Sequence, residues 1–193
     1  MQMGHWPPSV ASVKVLFPMD TAIMLWIHGL ASPVLDVAFV FSWLIGSIWF
    51  CGPLALLAAA RHVRRGQRPE AVVWLVLAIS AALLPEVLKL LVGRPRPRLW
   101  PWLIPTFGYS FPSGHSVAGA ALYPFLGWLM LRSRHLGLVG YALGLMVAAF
   151  VGVGRMYLGV HWPSDVVAGW ALGVALSGGS VFWLRAQSSV GST

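Results

Sequence analysis

A histidine and an aspartate in the last third of the chain have the spacing of a catalytic pair. His161 precedes Asp165 by four residues, so both side chains share one face where a helix begins, and Pro163 suits its first turn. A carboxylate on one ring nitrogen fixes the tautomer and raises the basicity of the other nitrogen. A nucleophilic histidine requires this arrangement, although a structural His–Asp hydrogen bond is the simpler interpretation of the pair alone. Arg155, slightly upstream, is placed to neutralise anionic oxygens in a transition state.

The tetrapeptide Pro112-Ser113-Gly114-His115 predicts an anion site at the start of a helix. A helix N-terminus exposes unpaired backbone N–H groups, which bind anions together with the helix dipole. Gly114 lets the backbone approach a ligand, Ser113 adds a hydroxyl, and His115 sits where a proton is needed. An N-cap serine followed by a structural histidine explains the same residues equally well.

A basic run after an apolar segment predicts a further place for an anion. Lys89 ends that segment, and the Arg-Pro pairs at Arg94 and Arg96 cannot continue a helix. Arginine offers bidentate hydrogen bonds and lysine a point charge, so together they can hold an anion from two sides. Glu86 lies one turn before Lys89 and can hold its side chain. Taken alone, a basic loop after a helix is commonplace.

The composition places these residues in a membrane protein. Of the 193 residues, 58% are hydrophobic and 9% are charged, and the mean hydropathy is +0.77. Globular domains carry about 25% charged residues, so neither a soluble enzyme nor a disordered chain fits. The basic residues that give the net charge of +8 lie between apolar runs. This position is better explained by membrane topology and anionic ligands than by binding of nucleic acid. The single cysteine, Cys51, excludes an intrachain disulfide and a cysteine-based metal cluster.

The apolar runs predict an all-α, polytopic membrane helix bundle that forms one domain over residues 1–193. A transmembrane helix needs about 20 mainly apolar residues. The spans that qualify are approximately 34–60, 70–92, 113–131, 136–154 and 164–184. A shorter apolar stretch, 21–31, is expected to lie at the interface or half-inserted, with a full sixth span as the alternative. We therefore expect five to six transmembrane helices, the first of them preceded by an interfacial or extracytoplasmic segment, 1–33.

The positive-inside rule orients the spans. Seven of the thirteen basic residues lie on one side, which we interpret as cytoplasmic: Arg61, Arg64, Arg65, Arg68, Arg132, Arg134 and Arg185. The three motifs then fall at the opposite, extracytoplasmic end, at similar depth. Cations there outnumber the nearby acids, Glu86 and Asp165, and unpaired cations at membrane level mark function. We therefore expect one anion site that faces outside.

Stripes of small residues predict close packing of the last two spans. The residues that recur every four positions are Gly140, Gly144, Ala148 and Gly152 on one span and His161, Asp165, Gly169, Gly173 and Ser177 on the other. The second stripe continues the His–Asp face, so that face is expected to point into the bundle. The alternative is that these faces mediate a homodimer.

The three motifs together resemble the phosphatidic acid phosphatase type 2 superfamily, integral-membrane lipid phosphate phosphatases related to vanadium haloperoxidases. That family has Lys-x6-Arg-Pro, then Pro-Ser-Gly-His, then Ser-Arg-x5-His-x3-Asp. Order and spacing match here over about residues 86–170, except that Gly154 stands in place of the serine before Arg155. The family spacing selects Arg96 and leaves Arg94 as an accessory.

The resemblance implies a role for each matched residue. His161 is implied as the nucleophile that forms a phosphohistidine, Asp165 as its orienting partner, and His115 as the general acid and later the base. The residues implied to bind the phosphate are Lys89, Arg96, Ser113, Gly114 (through its N–H) and Arg155. Neither a metal nor another cofactor is implied, and the sequence has no carboxylate cluster suited to Mg²⁺.

The resemblance also implies a lipid phosphate substrate and a bacterial cytoplasmic (inner) membrane, with membrane lipids and no nucleic acid as partners. We rank undecaprenyl diphosphate first because the site faces outside, and phosphatidylglycerol phosphate second; phosphatidate and lipid A phosphates are further candidates. The same residues fit a lipid phosphotransferase or a non-catalytic anion-binding protein. They also fit a metal-dependent hydrolase whose ligands are His115, His161 and Asp165. The sequence does not identify the lipid or the oligomeric state.

Overall fold

The computed structural model of the protein describes residues 18–190, and every regular element in that range is helical. The α-helices are α1 (Pro18–His28), α2 (Pro33–Gly46), α3 (Ile48–Arg64), α4 (Arg68–Val92), α5 (Gly114–Leu131), α6 (Gly137–Tyr157) and α7 (Pro163–Val190). A 3₁₀ turn, Arg132–Arg134, lies between α5 and α6. The all-α class is thus confirmed. The expectation for residues 1–17 falls outside the described residues.

Three of the described helices, α4, α6 and α7, are long and apolar enough to cross a membrane. The bent pair of α2 and α3 makes a fourth if it crosses as one span. The expected span 113–131 corresponds to α5, an 18-residue helix that is not among them. Length and composition therefore support three to four spans in residues 18–190, and the count of five to six stays a prediction.

The first expected span, 34–60, is not one continuous helix. It divides at Ser47, and the axes of α2 and α3 are bent by 48°. The Ser47 hydroxyl caps α3 by accepting a backbone N–H of its first turn at 3.3 Å. The carbonyl of Ile45, just before the break, accepts from the Tyr123 hydroxyl at 2.7 Å and from the Cys51 thiol at 3.2 Å. A Gly-Ser pair is a recognised cause of helix kinks, and Gly46 precedes Ser47 here.

Glycines allow α5, α6 and α7 to pack closely, as their spacing predicted. A Cβ on Gly140 of α6 would overlap the backbone of Gly127 on α5. A Cβ on Gly173 of α7 would likewise overlap Ala120 of α5. The small-residue stripes therefore lie in contacts within the chain, and they turn the His–Asp face inward. A homodimer stays an untested prediction.

The bundle has two chemically different ends. At one end α4 and α6 stop and α5 and α7 begin, so the three motifs meet there. At the other end Arg132 pairs with Glu70 at 2.6 Å, and Arg132 and Arg185 both lie over the ring of Trp128. Arginines from two segments expected to be cytoplasmic thus gather at the end away from the motifs.

The short apolar stretch 21–31 overlaps α1. With 11 residues, α1 is shorter than the roughly 20 residues that cross a bilayer. It packs against α6 and α7, and its Ile27 joins an apolar cluster with Val160 and Val166. This length fits the short helix expected from the sequence, and the alternative of a full sixth span stays a prediction.

Candidate active site

Four helix ends bring most of the predicted site residues around one cavity of about 530 Å³. Gly93 ends α4 in the left-handed conformation (φ 63°), and Ser113 caps the start of α5. The last turn of α6 carries Arg155, and α7 begins at Pro163. Of the eight predicted residues, the six that line the cavity are Lys89, Arg96, Gly114, His115, Arg155 and His161.

His161 is buried between a carboxylate and a guanidinium. Its Nδ1 lies 3.6 Å from Asp165 Oδ2, and Arg96 Nη1 donates to its Nε2 at 3.0 Å. Because a guanidinium only donates, Nε2 carries a lone pair, and we assign the ring proton to Nδ1, which faces the carboxylate but has no hydrogen-bond partner among the described residues. Burial first, and then the positive charges of Arg155 and Arg96, hold the pKa of His161 well below its usual 6.5. The imidazole is therefore neutral at pH 7.

Asp165 lies behind His161 and does not line the cavity. Its Oδ2 accepts from the backbone N–H of Trp162 at 2.9 Å, and its Oδ1 accepts from Arg94 Nη1 at 2.7 Å. Both oxygens of this fully buried carboxylate are thus held in place. The position suits a residue that orients the imidazole and not one that contacts a ligand.

Arg96 connects the loop after α4 to the site. Besides its bond to His161, it donates to the carbonyls of Phe107, Gly108 and Val160 at 2.9–3.1 Å. These bonds hold the guanidinium at the cavity wall, beside the lone pair of the histidine.

Two more cavity residues have buried polar atoms without partners. Arg155 is 2% exposed, and its Nε and Nη1 have no hydrogen-bond partner among the described residues. The same holds for Nε2 of His115. An unsatisfied buried donor costs about 1–3 kcal/mol, so these atoms are best explained by a ligand that the cavity receives. A buried guanidinium with free donors specifies an anion.

Lys89 completes the positive wall. Its Nζ pairs with Glu86 at 2.6 Å, which confirms the contact expected from their spacing. Lys89 Nζ also lies beside the first residue of α5: it would be 4.0 Å from a Cβ placed on Gly114. The ammonium and the N-terminus of α5 therefore attract an anion to the same place.

Ser113 is placed differently from the other predicted phosphate ligands. It is fully buried, and its hydroxyl accepts from the N–H and the hydroxyl of Ser116, at 3.4 and 2.9 Å. Its side chain thus acts as the N-cap of α5, the alternative that the sequence left open. A contact between Ser113 and phosphate stays a prediction.

Sequence reasoning missed Asp20 and misjudged Arg94. Arg94, expected as an accessory ligand, bridges two buried carboxylates: Nη2 donates to Asp20 Oδ2 and Nη1 to Asp165 Oδ1, both at 2.7 Å. Asp20 is therefore a further buried acid at this end of the bundle, in addition to the Glu86 and Asp165 counted from the sequence. No motif could find it, because it lies 74 residues before Arg94.

Thr106 is a second residue that the motifs did not indicate. Its Oγ1 is buried without a partner in the described part of the chain, and the residue lines the cavity. An unpaired hydroxyl in a cavity wall is available to a polar group of a ligand.

Gly154, where the resembling family has serine, packs against Ser42 of α2. A Cβ at position 154 would overlap the Ser42 hydroxyl and crowd Phe39. Ser42 donates to the Phe39 carbonyl at 2.7 Å. A serine hydroxyl is therefore present beside this position, supplied by another helix.

Comparisons with known proteins show what the chain is similar to. The sequence model of the PAP2 superfamily matches residues 70–188. Phosphatidylglycerophosphatase B of Bacillus subtilis (strain 168) is 33% identical over 137 residues, which are 68% of this chain and 66% of that protein. An undecaprenyl-diphosphatase of Sulfolobus acidocaldarius is 33% identical over 111 residues, which are 51% of this chain and 48% of that protein. The chain thus spans about half to two thirds of the length of these relatives.

Two solved structures share the fold. The crystal structure of a transmembrane PAP2 type phosphatidylglycerolphosphate phosphatase from Bacillus subtilis superposes with a TM-score of 0.78 and 29% identity, over 86% of this chain and 85% of that one. The crystal structure of Aquifex aeolicus LpxE gives a TM-score of 0.68 at 24% identity, over 88% and 98% of the two chains. The second likeness concerns the fold alone.

Proposed function

Because the chain belongs to the PAP2 superfamily, we propose that it hydrolyses the phosphate ester or diphosphate of a membrane lipid through a phosphohistidine. One observation carries the proposal. The Nε2 lone pair of His161 lies beside a guanidinium of Arg96 at 3.0 Å, in a cavity that Arg155 and Lys89 also line. A neutral nucleophile and three cations at one cavity suit phosphoryl transfer, which depends on positioning and charge stabilisation.

In the first step, Nε2 of His161 attacks the phosphorus as the bond from phosphorus to the lipid oxygen breaks. Arg96 must exchange its bond to Nε2 for one to a phosphoryl oxygen, which frees the nucleophile at the moment that substrate binds. The unpaired donors of Arg155 stabilise the charge on the other phosphoryl oxygens. Asp165 stabilises the positive charge that forms on the imidazole.

Still in the first step, His115 gives its proton to the leaving lipid oxygen, and the negative charge of the bound phosphate favours that proton on His115 beforehand. In the second step, water takes the place of the lipid. Unprotonated His115 then takes a proton from water, which attacks the phosphohistidine and releases inorganic phosphate. Nε2 of His161 recovers its lone pair, so the enzyme returns to its starting state.

The proposal needs no metal. Both oxygens of Asp165 are engaged, by Trp162 and by Arg94, so this carboxylate does not face the cavity as a ligand would. The cations of the cavity wall also repel a divalent ion. These two points favour the phosphohistidine route over the metal-dependent hydrolase that uses the same histidines.

The relatives divide between two substrates that the sequence had already ranked. The name of the Bacillus relative indicates phosphatidylglycerol phosphate, and that of the Sulfolobus relative indicates undecaprenyl diphosphate. Both present a phosphate on a lipid anchor, which is the chemistry that the cavity recognises. The cavity also reaches the bend of α2 and α3, where Trp43 and Trp49 supply apolar surface for a lipid. We place the cavity at the extracytoplasmic face, on the charge asymmetry of the loops.

The test is phosphate release by detergent-purified protein in the presence of EDTA, with undecaprenyl diphosphate and phosphatidylglycerol phosphate compared side by side. We expect phosphate release from at least one of these lipids. The His161→Ala variant should lose this activity, and the control His62→Ala, at the opposite end of the bundle, should keep it. Release that EDTA abolishes would contradict the mechanism. Phosphate that appears only on an added lipid or sugar acceptor would identify a phosphotransferase instead.

A further inference from the structure

Beyond the motif residues, a buried chain of charges ties α1 to the proposed nucleophile. Asp20, in the first turn of α1, is 3% exposed, and Arg94 is 4% exposed. Arg94 Nη2 donates to Asp20 Oδ2 and Nη1 to Asp165 Oδ1, and Asp165 Oδ2 lies 3.6 Å from His161 Nδ1. The four side chains therefore form one series, Asp20–Arg94–Asp165–His161, in which negative, positive and negative side chains lead to the neutral imidazole.

Ser164 locks Asp20 into this series. Its backbone N–H donates to Asp20 Oδ1 at 3.0 Å, and its hydroxyl donates to Asp20 Oδ2 at 2.6 Å. Arg94 Nη1 in turn donates to the same hydroxyl at 2.6 Å. Asp20 is thus fixed to the first turn of α7, directly beside Asp165.

Asp20 contributes a negative charge to this series in addition to its hydrogen bonds. Asp165 and Arg94 without Asp20 would be a neutral pair, and a neutral pair stabilises a positive imidazole weakly. Asp20 makes the trio of these residues net negative. The imidazole needs that charge, because its other neighbours are the cations Arg96, Arg155 and Lys89 together with His115.

We propose that Asp20 is a positioning residue of the reaction, which acts through Arg94 to leave Asp165 enough negative charge to support His161 as a nucleophile. The inference rests on the proposed function, since it assumes that His161 attacks phosphorus. It assigns to α1, which lies outside all three motifs, a part in catalysis.

The test compares three variants of the full chain in detergent. Asp20→Asn keeps the shape of the side chain and removes its charge, and Asp20→Glu keeps the charge. Asp36→Asn is the matched control, because Asp36 is a carboxylate on α2 that accepts from the Tyr157 hydroxyl at 2.6 Å, outside the site. The readouts are the pH profile of kcat/KM and the pH dependence of carbethoxylation of His161 by diethylpyrocarbonate, measured by mass spectrometry.

We expect Asp20→Asn to lower kcat by about tenfold with little change in KM, and to move the acid limb of kcat/KM and of carbethoxylation to lower pH by about one unit. Asp20→Glu and Asp36→Asn should keep the limb of the wild type. The position of a limb does not depend on how much protein is folded, so a poorly folding variant still gives a result.

Unchanged limbs in Asp20→Asn would overturn the inference, and so would an equal shift in Asp36→Asn. Carbethoxylation needs no turnover, which separates the two proposals. A shifted carbethoxylation profile in a protein that releases no phosphate would support the effect of the Asp20 charge on the imidazole of His161 and contradict the proposed function.

Discussion

The imidazole of His161 combines low basicity with a defined tautomer. Burial and the cations Arg155 and Arg96 lower its pKa, so the ring stays unprotonated as the pH falls below 6.5 and protonates only at a clearly lower pH. We therefore predict that the acid limb of kcat/KM, where His161 becomes protonated, lies below the ordinary histidine range.

The measurement is a pH profile on a short-chain lipid phosphate. The second ionisation of the substrate, near pH 6, is determined separately by ³¹P NMR and divided out. An enzyme limb centred at or above 6.5 would show that His161 does not have the lowered pKa described here.

Arg94 and Arg96 differ by two positions and have different tasks. Arg94 is the shared partner of two buried carboxylates, whereas Arg96 lines the cavity and contacts His161. We predict that Arg94→Ala destabilises the fold by about 3–5 kcal/mol, because buried charges lose their partner. Arg96→Ala should instead lower kcat by about 10²–10³-fold per folded molecule.

Thermal unfolding and the kinetics of the folded fraction distinguish these two arginines. If Arg96→Ala lowered the unfolding temperature as much as Arg94→Ala and left kcat unchanged, the assignments would have to be exchanged. The motif spacing selected Arg96 correctly as a cavity residue, but it could not show what Arg94 binds, since one of its partners lies in α1.

The bend between α2 and α3 shows that an apolar run predicts the presence of a membrane helix but not a break within it. Hydropathy is high on both sides of Ser47, so an apolar run hides the break, and only the Gly46-Ser47 pair signals it. The bend matters for the site because Gly46 packs on His115: a Cβ on Gly46 would crowd the imidazole and overlap Val151. Helix ends such as Pro163 and Gly93 were predictable, because proline and glycine act locally.

Gly154 gives a prediction about the contact between α2 and α6. Because Ser42 occupies the space beside it, Gly154→Ser should destabilise the protein by about 1–3 kcal/mol, even though serine is the residue of the family motif. Ser42→Gly should relieve the overlap, so the double variant Ser42→Gly/Gly154→Ser should be more stable than Gly154→Ser alone. Additive effects in denaturant unfolding would show that the two positions do not compete for space.

The two ends of the bundle differ in charge, and this leads to a prediction about orientation. Cys51 is 0% exposed, so an introduced surface cysteine would be the one that a thiol reagent reaches. Phe107 at the site end and Arg65 at the arginine end are both exposed. In intact cells a membrane-impermeant maleimide should label Phe107→Cys, and it should label Arg65→Cys only after permeabilisation. The reverse pattern would place the cavity on the cytoplasmic side.

The site as a whole was predictable to the extent that its residues lie in motifs. Six of the eight predicted residues do line one cavity, because four helix ends at one end of a bundle must meet. Asp20 and Thr106 were not predictable, since nothing periodic or local connects them to the motifs. The sequence located Ser113 at the start of a helix, where it caps α5, but it could not decide whether the hydroxyl binds the helix or a ligand.

The position of Arg94 along the chain has a consequence for biosynthesis. Its two carboxylate partners flank it, Asp20 at 74 residues before and Asp165 at 71 residues after. At a translation rate of about 5–20 residues per second, Asp165 leaves the ribosome roughly 4–14 s later than Arg94. Asp20 has emerged by then, so the nascent arginine can enter the bilayer region with a counter-ion already present. The carboxylate that is proposed to support the nucleophile is thus the first of the two partners to which the arginine has access during synthesis.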